Sequence, residues 1–95
     1  MFLNKYVDDF YYNLIIENYD FDYLNSLDEV NFVNIYNIFK NFDFYFIDDI
    51  ILNYLDIFEM EKDYVLNSLL RLKEKLGKNF VYKIGHNMSL LNEIY

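Results

Sequence analysis

The chain has 95 residues, no Cys, no Pro and no Trp, and a formal charge of −8. That length supports one domain, residues 1–95, with a modest core. Without thiols there are no disulfides and no Cys-based zinc sites, and so negative a chain is a poor direct ligand for nucleic acid, where affinity comes mostly from neutralising phosphate.

The charge is uneven. Residues 1–63 carry 14 Asp and Glu against Lys5, Lys40 and Lys62, a balance of −11. Residues 64–95 carry Glu74 and Glu93 against Arg71, Lys73, Lys75, Lys78 and Lys83, a balance of +3. Such a distribution favours a basic partner. The 11 Tyr and 10 Phe suggest a core packed with rings and an interface that uses tyrosine. Ala, Thr, Gln and Pro are absent while Asn, Ile, Tyr, Phe, Lys and Asp abound, which is also what AT-rich codons produce. The acidic start, MFLNKYVDDF, lacks the form of a signal peptide, and no apolar run reaches the roughly 20 residues of a membrane span. A soluble, cytoplasmic protein is the expectation.

In chain order, the spacing predicts a first helix over residues 4–18, with Tyr6, Val7, Phe10, Tyr11 and Leu14 inward. Residues 19–25 read as a corner or a short helical turn. Ser26 and Glu29 have the capping-box spacing and predict a second helix over 27–41. Val30, Val33, Ile35, Ile38 and Phe39 would hold it, with Asn31, Asn34, Asn37 and Asn41 on its polar face. A break follows at 41–43.

The central unit, residues 44–76, reads as two helices joined by a tight corner. Asp43 stands where an N-cap would, and Asp48 and Asp49 follow close behind. Ile47, Ile50, Ile51, Tyr54, Leu55 and Phe58 form the first stripe. Val65, Leu69, Leu72 and Leu76 form the second, widened by Leu66 and Leu70, in a helix over 62–76 that Asp63 caps or joins in its first turn. Arg71, Lys73 and Lys75 suit its C-terminal end, and Gly77 suits the left-handed residue beyond it. Residues 80–84 alternate like a short strand, but no partner strand is evident, and helix is the better reading. Residues 85–87 read as a turn and 88–95 as a last short helix.

The pattern recurs at an offset of about 34 residues, in the range of helical repeats. Ile16 aligns with Ile50, Phe21 with Leu55, Leu24 with Phe58, Val30 with Tyr64 and Ile35 with Leu69. One step on, Phe46, Ile50, Tyr54 and Ile57 align with Phe80, Ile84, Met88 and Leu91.

No catalytic constellation stands out. His86 is the lone His, and neither Ser26 nor Ser89 has a flanking nucleophile motif. Asp8/Asp9 and Asp48/Asp49 are adjacent pairs, which diverge by about 100° on a helix and do not converge on a cation. Asp20 and Asp22 lack the remaining ligands of a calcium loop. No Gly-rich phosphate loop exists. No enzyme activity, cofactor or metal is expected.

Residues 56–84, DIFEMEKDYVLNSLLRLKEKLGKNFVYKI, resemble a repeat of the mitochondrial transcription termination factor family, with a short corner, a long helix ending in L-x-x-x-L-G and a second helix. Leu69, Leu72, Leu76 and Gly77 match that helix end. The resemblance implies a helical-repeat architecture. The family's corner proline and basic surface have no counterpart here, so no functional residue is carried over. By size and charge the chain is similar to small acidic phage proteins that inhibit host defence, anti-CRISPR proteins among them.

The reading is therefore an all-α chain of five to six short helices, arranged as two and a half repeats. The expected function is inhibition of a basic nucleic-acid-handling protein, such as a nuclease or CRISPR effector, by a surface that mimics nucleic acid. Asp20, Asp22, Asp48, Asp49 and Asp56 would supply the charge, with Tyr19 and Tyr45 as aromatic anchors. The alternatives are an oligomerising module with an aromatic homodimer interface, and a helical-repeat nucleic-acid binder using residues 71–83.

Overall fold

A computed structural model describes residues 1–95, all of it helix, turn or connection, with no strand. A 3-10 turn, Leu3–Lys5, precedes α1 (Asp9–Asn18), α2 (Phe21–Ser26) and α3 (Glu29–Asn41). Then come α4 (Ile47–Asn53), a middle 3-10 turn (Leu55–Glu59), α5 (Lys62–Leu76), α6 (Phe80–His86) and a last 3-10 turn (Met88–Ile94). No helix is long and apolar enough to cross a membrane.

Acidic side chains start four of the helices. Asp8 accepts from Tyr11 N–H at α1, Asp20 from Asp22 N–H at α2, Asp28 from Val30 and Asn31 N–H at α3, and Glu61 from Tyr64 N–H at α5. Each satisfies donors that the first turn leaves free. Two caps expected from the sequence are displaced. Ser26 ends α2, donating to Tyr23 O at 2.6 Å, and leaves the cap of α3 to Asp28. Asp43 caps nothing; it takes the left-handed backbone, φ 65°, and turns the chain out of α3. Asp tolerates that region better than most residues.

The core is one cluster of 23 buried side chains. Its centre is aromatic: Phe32 stacks on Phe58 at 4.8 Å, Phe39 lies 5.6 Å from Phe58, and Phe44 meets Phe39 edge-on at 5.0 Å. Truncating a ring buried as fully as Phe32 costs roughly 3–5 kcal/mol.

The repeat is visible in the elements. Shifted by about 34 residues, α1, α2 and α3 fall on α4, the middle 3-10 turn and α5, and the first two fall again on α6 and the last 3-10 turn. Leu24 and Phe58, Ile35 and Leu69, Phe46 and Phe80, Ile50 and Ile84, and Ile57 and Leu91 are buried in both copies. Equivalent helices stack side by side, α1 on α4 and α3 on α5. Two aligned pairs depart from the pattern, because Ile16 and Phe21 are exposed while Ile50 and Leu55 are buried.

Other inward positions shift for local reasons. A separate 3-10 turn precedes α1, so the helix is not in phase with residues 4–8. Leu3, Val7 and Ile15 are buried, and Phe10 is 67% exposed. In α3, Phe32, Ile35 and Phe39 face the core while Val30 is 71% exposed. Asn31 does more than face solvent: half-buried, its amide donates to Phe58 O and Met60 O, each at 2.9 Å, and ties α3 to the corner before α5. The first stripe of the central unit breaks at Tyr54, where α4 ends.

α5 ends at the glycine the sequence points to, though Gly77 joins its positive φ to an extended ψ of −172° in place of the left-handed helical value. Gly77 has φ 88° and donates its N–H to Lys73 O at 2.8 Å. Lys83 Nζ also reaches back to Leu76 O at 2.7 Å. Residues 80–84 are helical. Gly85 and His86 belong to α6 rather than to a turn.

Candidate functional site

Three of the residues singled out from the sequence meet in one place. The left-handed Asp43 directs the next three residues so that Phe44 and Phe46 are buried and Tyr45 stands 69% exposed between them. Phe46 lies 5.4 Å from Phe44 and 4.9 Å from Tyr45, both edge-on. The chain then enters α4, which carries Asp48 and Asp49 in its first turn. From α1, Tyr11 Oη donates to Asp49 Oδ1 at 2.7 Å. Tyr11, Tyr36, Tyr45, Phe46, Asp48 and Asp49 are among the residues lining an open cleft of about 460 Å³.

Burial raises the Asp48 carboxyl above its ordinary value. The Asp8 backbone pulls the other way, and the nearby carboxylates of Asp8 and Asp49 push upward again. The bond to Asp49, burial and the surrounding carboxylates push the Tyr11 hydroxyl up to about 12. The cleft thus gathers negative charge against aromatic walls. Lys40 Nζ already lies 5.7 Å from the centre of the Tyr36 ring, within the range of a cation–π contact.

The other predicted residues lie elsewhere. Tyr19 Oη donates to Leu52 O at 2.7 Å and lines a separate polar cleft of about 350 Å³ with Asn18, Leu52 and Asn53. Asp56 accepts from Tyr95 Oη at 2.5 Å, and nearby Tyr23 Oη donates to Glu59 at 2.6 Å. Burial first, and then these bonds, raise both tyrosine hydroxyls. Asp20 caps α2 and Asp22 lies in its first turn; both are exposed and line neither cleft.

Tyr11, Tyr23, Tyr36 and Tyr95 were not singled out from the sequence. For the first two a signal existed. Tyr11 and Asp49 are 38 positions apart, and Tyr23 and Glu59 are 36. Each separation is the repeat plus about one helical turn or less, which is what side-by-side stacking of equivalent helices brings together.

Only two carboxylates pair with a cation: Glu29 with Lys5 at 3.3 Å and Glu93 with Lys75 at 2.6 Å, out of 16 Asp and Glu. The cleft carboxylates therefore have no internal counterion. No group of His, Asp and Glu is placed to hold a metal ion. The His86 ring lies tilted against Tyr82, centres 4.1 Å apart, and its Nδ1 faces Tyr82 O, while Ser26 and Ser89 bond to Tyr23 O and Asn87. No protein-family model, curated protein or solved structure matches the chain.

Proposed function

We propose that the chain is a non-enzymatic cytoplasmic binding protein that occupies the basic groove of a nucleic-acid-handling protein, a nuclease or CRISPR-type effector, and thereby inhibits it. The observation that carries this reading is the meeting of Tyr45, Asp48 and Asp49 on one edge, beside Asp8, with no cation of the chain paired to them. Carboxylates beside the exposed ring of Tyr45 present to a basic groove the features it uses on nucleic acid, negative charge and a stacking surface.

Capture of basic proteins on the immobilised chain, with duplex DNA as competitor, tests it. Bound protein should be released by DNA and by salt, and D48K/D49K should capture less of it. Capture indifferent to both DNA and the charge reversal would sink the reading.

A second reading rests on the exposed rings of Phe10, Phe21, Tyr45 and Tyr82, which suit a homodimer interface. Light scattering over a dilution series separates the two, since a dimer that persists on dilution favours self-association. Direct nucleic-acid binding through residues 71–83 has less support, because Lys75 is paired with Glu93 and Lys83 with the end of α5.

A further inference from the structure

The cleft has a chemistry narrower than acidity. Its polar side is the first turn of α4, where the Asp49 carboxylate has one oxygen, Oδ1, held by Tyr11 at 2.7 Å. That bond fixes the orientation of the carboxylate. Asp48 stands beside it, half-buried and near Asp8. Its apolar side is aromatic, with Tyr45 exposed and braced edge-on by Phe46 at 4.9 Å. Tyr36, on a third element, already has the ammonium of Lys40 at 5.7 Å.

Resting on the reading of a basic partner, we infer that this cleft receives an arginine side chain of that partner, the guanidinium placed between the Asp49 carboxylate and the ring of Tyr45, while Asp48, about 100° further round α4, adds negative charge beside the contact without sharing it. Charge complementarity selects a cation, and the combination of ring and carboxylate selects its shape. A guanidinium is planar, stacks on aromatic faces, donates in a fork that matches carboxylate oxygens, and is more weakly hydrated than an ammonium. Lysine offers a compact, strongly hydrated charge that gains less from the ring. At about 460 Å³ and open to solvent, the cleft admits one such side chain without displacing the core.

The test uses the full chain, isotope-labelled, titrated with a capped tri-arginine peptide and its tri-lysine counterpart while amide resonances are followed by NMR. The arginine peptide should shift Tyr45, Phe46, Asp48 and Asp49 saturably and bind at least about threefold more tightly than the lysine peptide. Asp49→Asn should weaken it by roughly tenfold, as expected on loss of a charged hydrogen-bond partner. Tyr45→Ala, at an exposed ring whose loss leaves the core intact, should weaken it about threefold. Asp22→Asn, outside the cleft, should change little. Equal shifts from both peptides spread over the acidic surface, with Asp22→Asn as damaging as Asp49→Asn, would overturn the arginine site while leaving the wider reading in place. Absence of any shift overturns the site as well, and DNA-competed capture then decides the wider reading independently.

Discussion

Tyr11 Oη donates to Asp49 Oδ1 at 2.7 Å and joins α1 to α4, the equivalent helices of successive repeats. Tyr23 does the same toward Glu59, between α2 and the middle 3-10 turn. The tyrosines therefore serve as cross-links along the stack as well as filling volume. Tyr11→Phe keeps the ring and removes the bond, and should cost about 0.5–1.5 kcal/mol by urea denaturation. Unchanged stability would mean that water replaces Tyr11 at Asp49 without loss.

The same bonds predict an alkaline weakness. The folded Tyr11 hydroxyl is pushed up to about 12 against an ordinary 10.0, and Tyr23 and Tyr95 are raised too. A group with a raised folded value contributes stability that is complete below its unfolded value and lost as pH rises through the folded one. Thermal melting should therefore hold steady up to about pH 10 and fall between about pH 10 and 12. The triple variant Tyr11→Phe, Tyr23→Phe, Tyr95→Phe should start lower and show a shallower fall. A parallel decline in both proteins would assign the weakness to general charge repulsion.

Asp48 is shifted in the same direction as the tyrosines, but in the carboxylate range, so its cost is already present at neutral pH. Its folded carboxyl is raised by burial, so ionisation opposes folding, and the cost disappears as pH falls through the folded value. Asp48→Asn should stabilise the chain at neutral pH, by less than about 1 kcal/mol because water screens a half-exposed site, and the gain should vanish in acid. A residue that costs stability where it stands is a good candidate for function. Loss of stability in the variant would show that Asp48 is structural.

The two glycines make a contrasting pair. At Gly77 an added methyl meets nothing within 4 Å, but φ is 88° with ψ −172°, a backbone region essentially reserved for glycine, so Gly77→Ala should cost about 1–3 kcal/mol through backbone strain alone. In α6, a methyl at Gly85 would come within 2.9 Å of Tyr45 Oη and 3.0 Å of Phe46 Cε1. Its gain in helix propensity, about 1 kcal/mol, should be largely offset there. Gly85→Ala should thus change stability little but displace the Tyr45 ring, visible as shifted aromatic resonances. Unmoved Tyr45 signals would show that α6 gives way instead.

Legibility followed the strength of local signals. The stripe Val65, Leu69 and Leu72 with Gly77 beyond it is strong, and α5 lies where the spacing puts it. With no partner strand in the chain, residues 80–84 read as helix against their strand-like alternation, and helix is what they form. Ser26 and Asp28 compete for one helix start, and the choice depended on α2 needing Ser26 for its own end, a fact of neighbouring elements. Asn31 looked like a polar face because its acceptors, Phe58 O and Met60 O, lie on another repeat. For the cleft, Tyr45, Asp48 and Asp49 are close in sequence and could be found together. Tyr36 arrives only through packing, and the grouping of Asp20 and Asp22 with the others dissolved because helix starts claim them.

One repeat beyond Tyr11 and Asp49 stand Tyr45 and Lys83. A lysine has no lone pair to accept a tyrosine hydrogen, and Lys83 is engaged instead at the end of α5. The stitch that closes the first joint is left open at the second. What makes Tyr45 available to another molecule is thus a withheld internal bond, and a tandem array can acquire a recognition surface by dropping one of its own fastenings without building anything new.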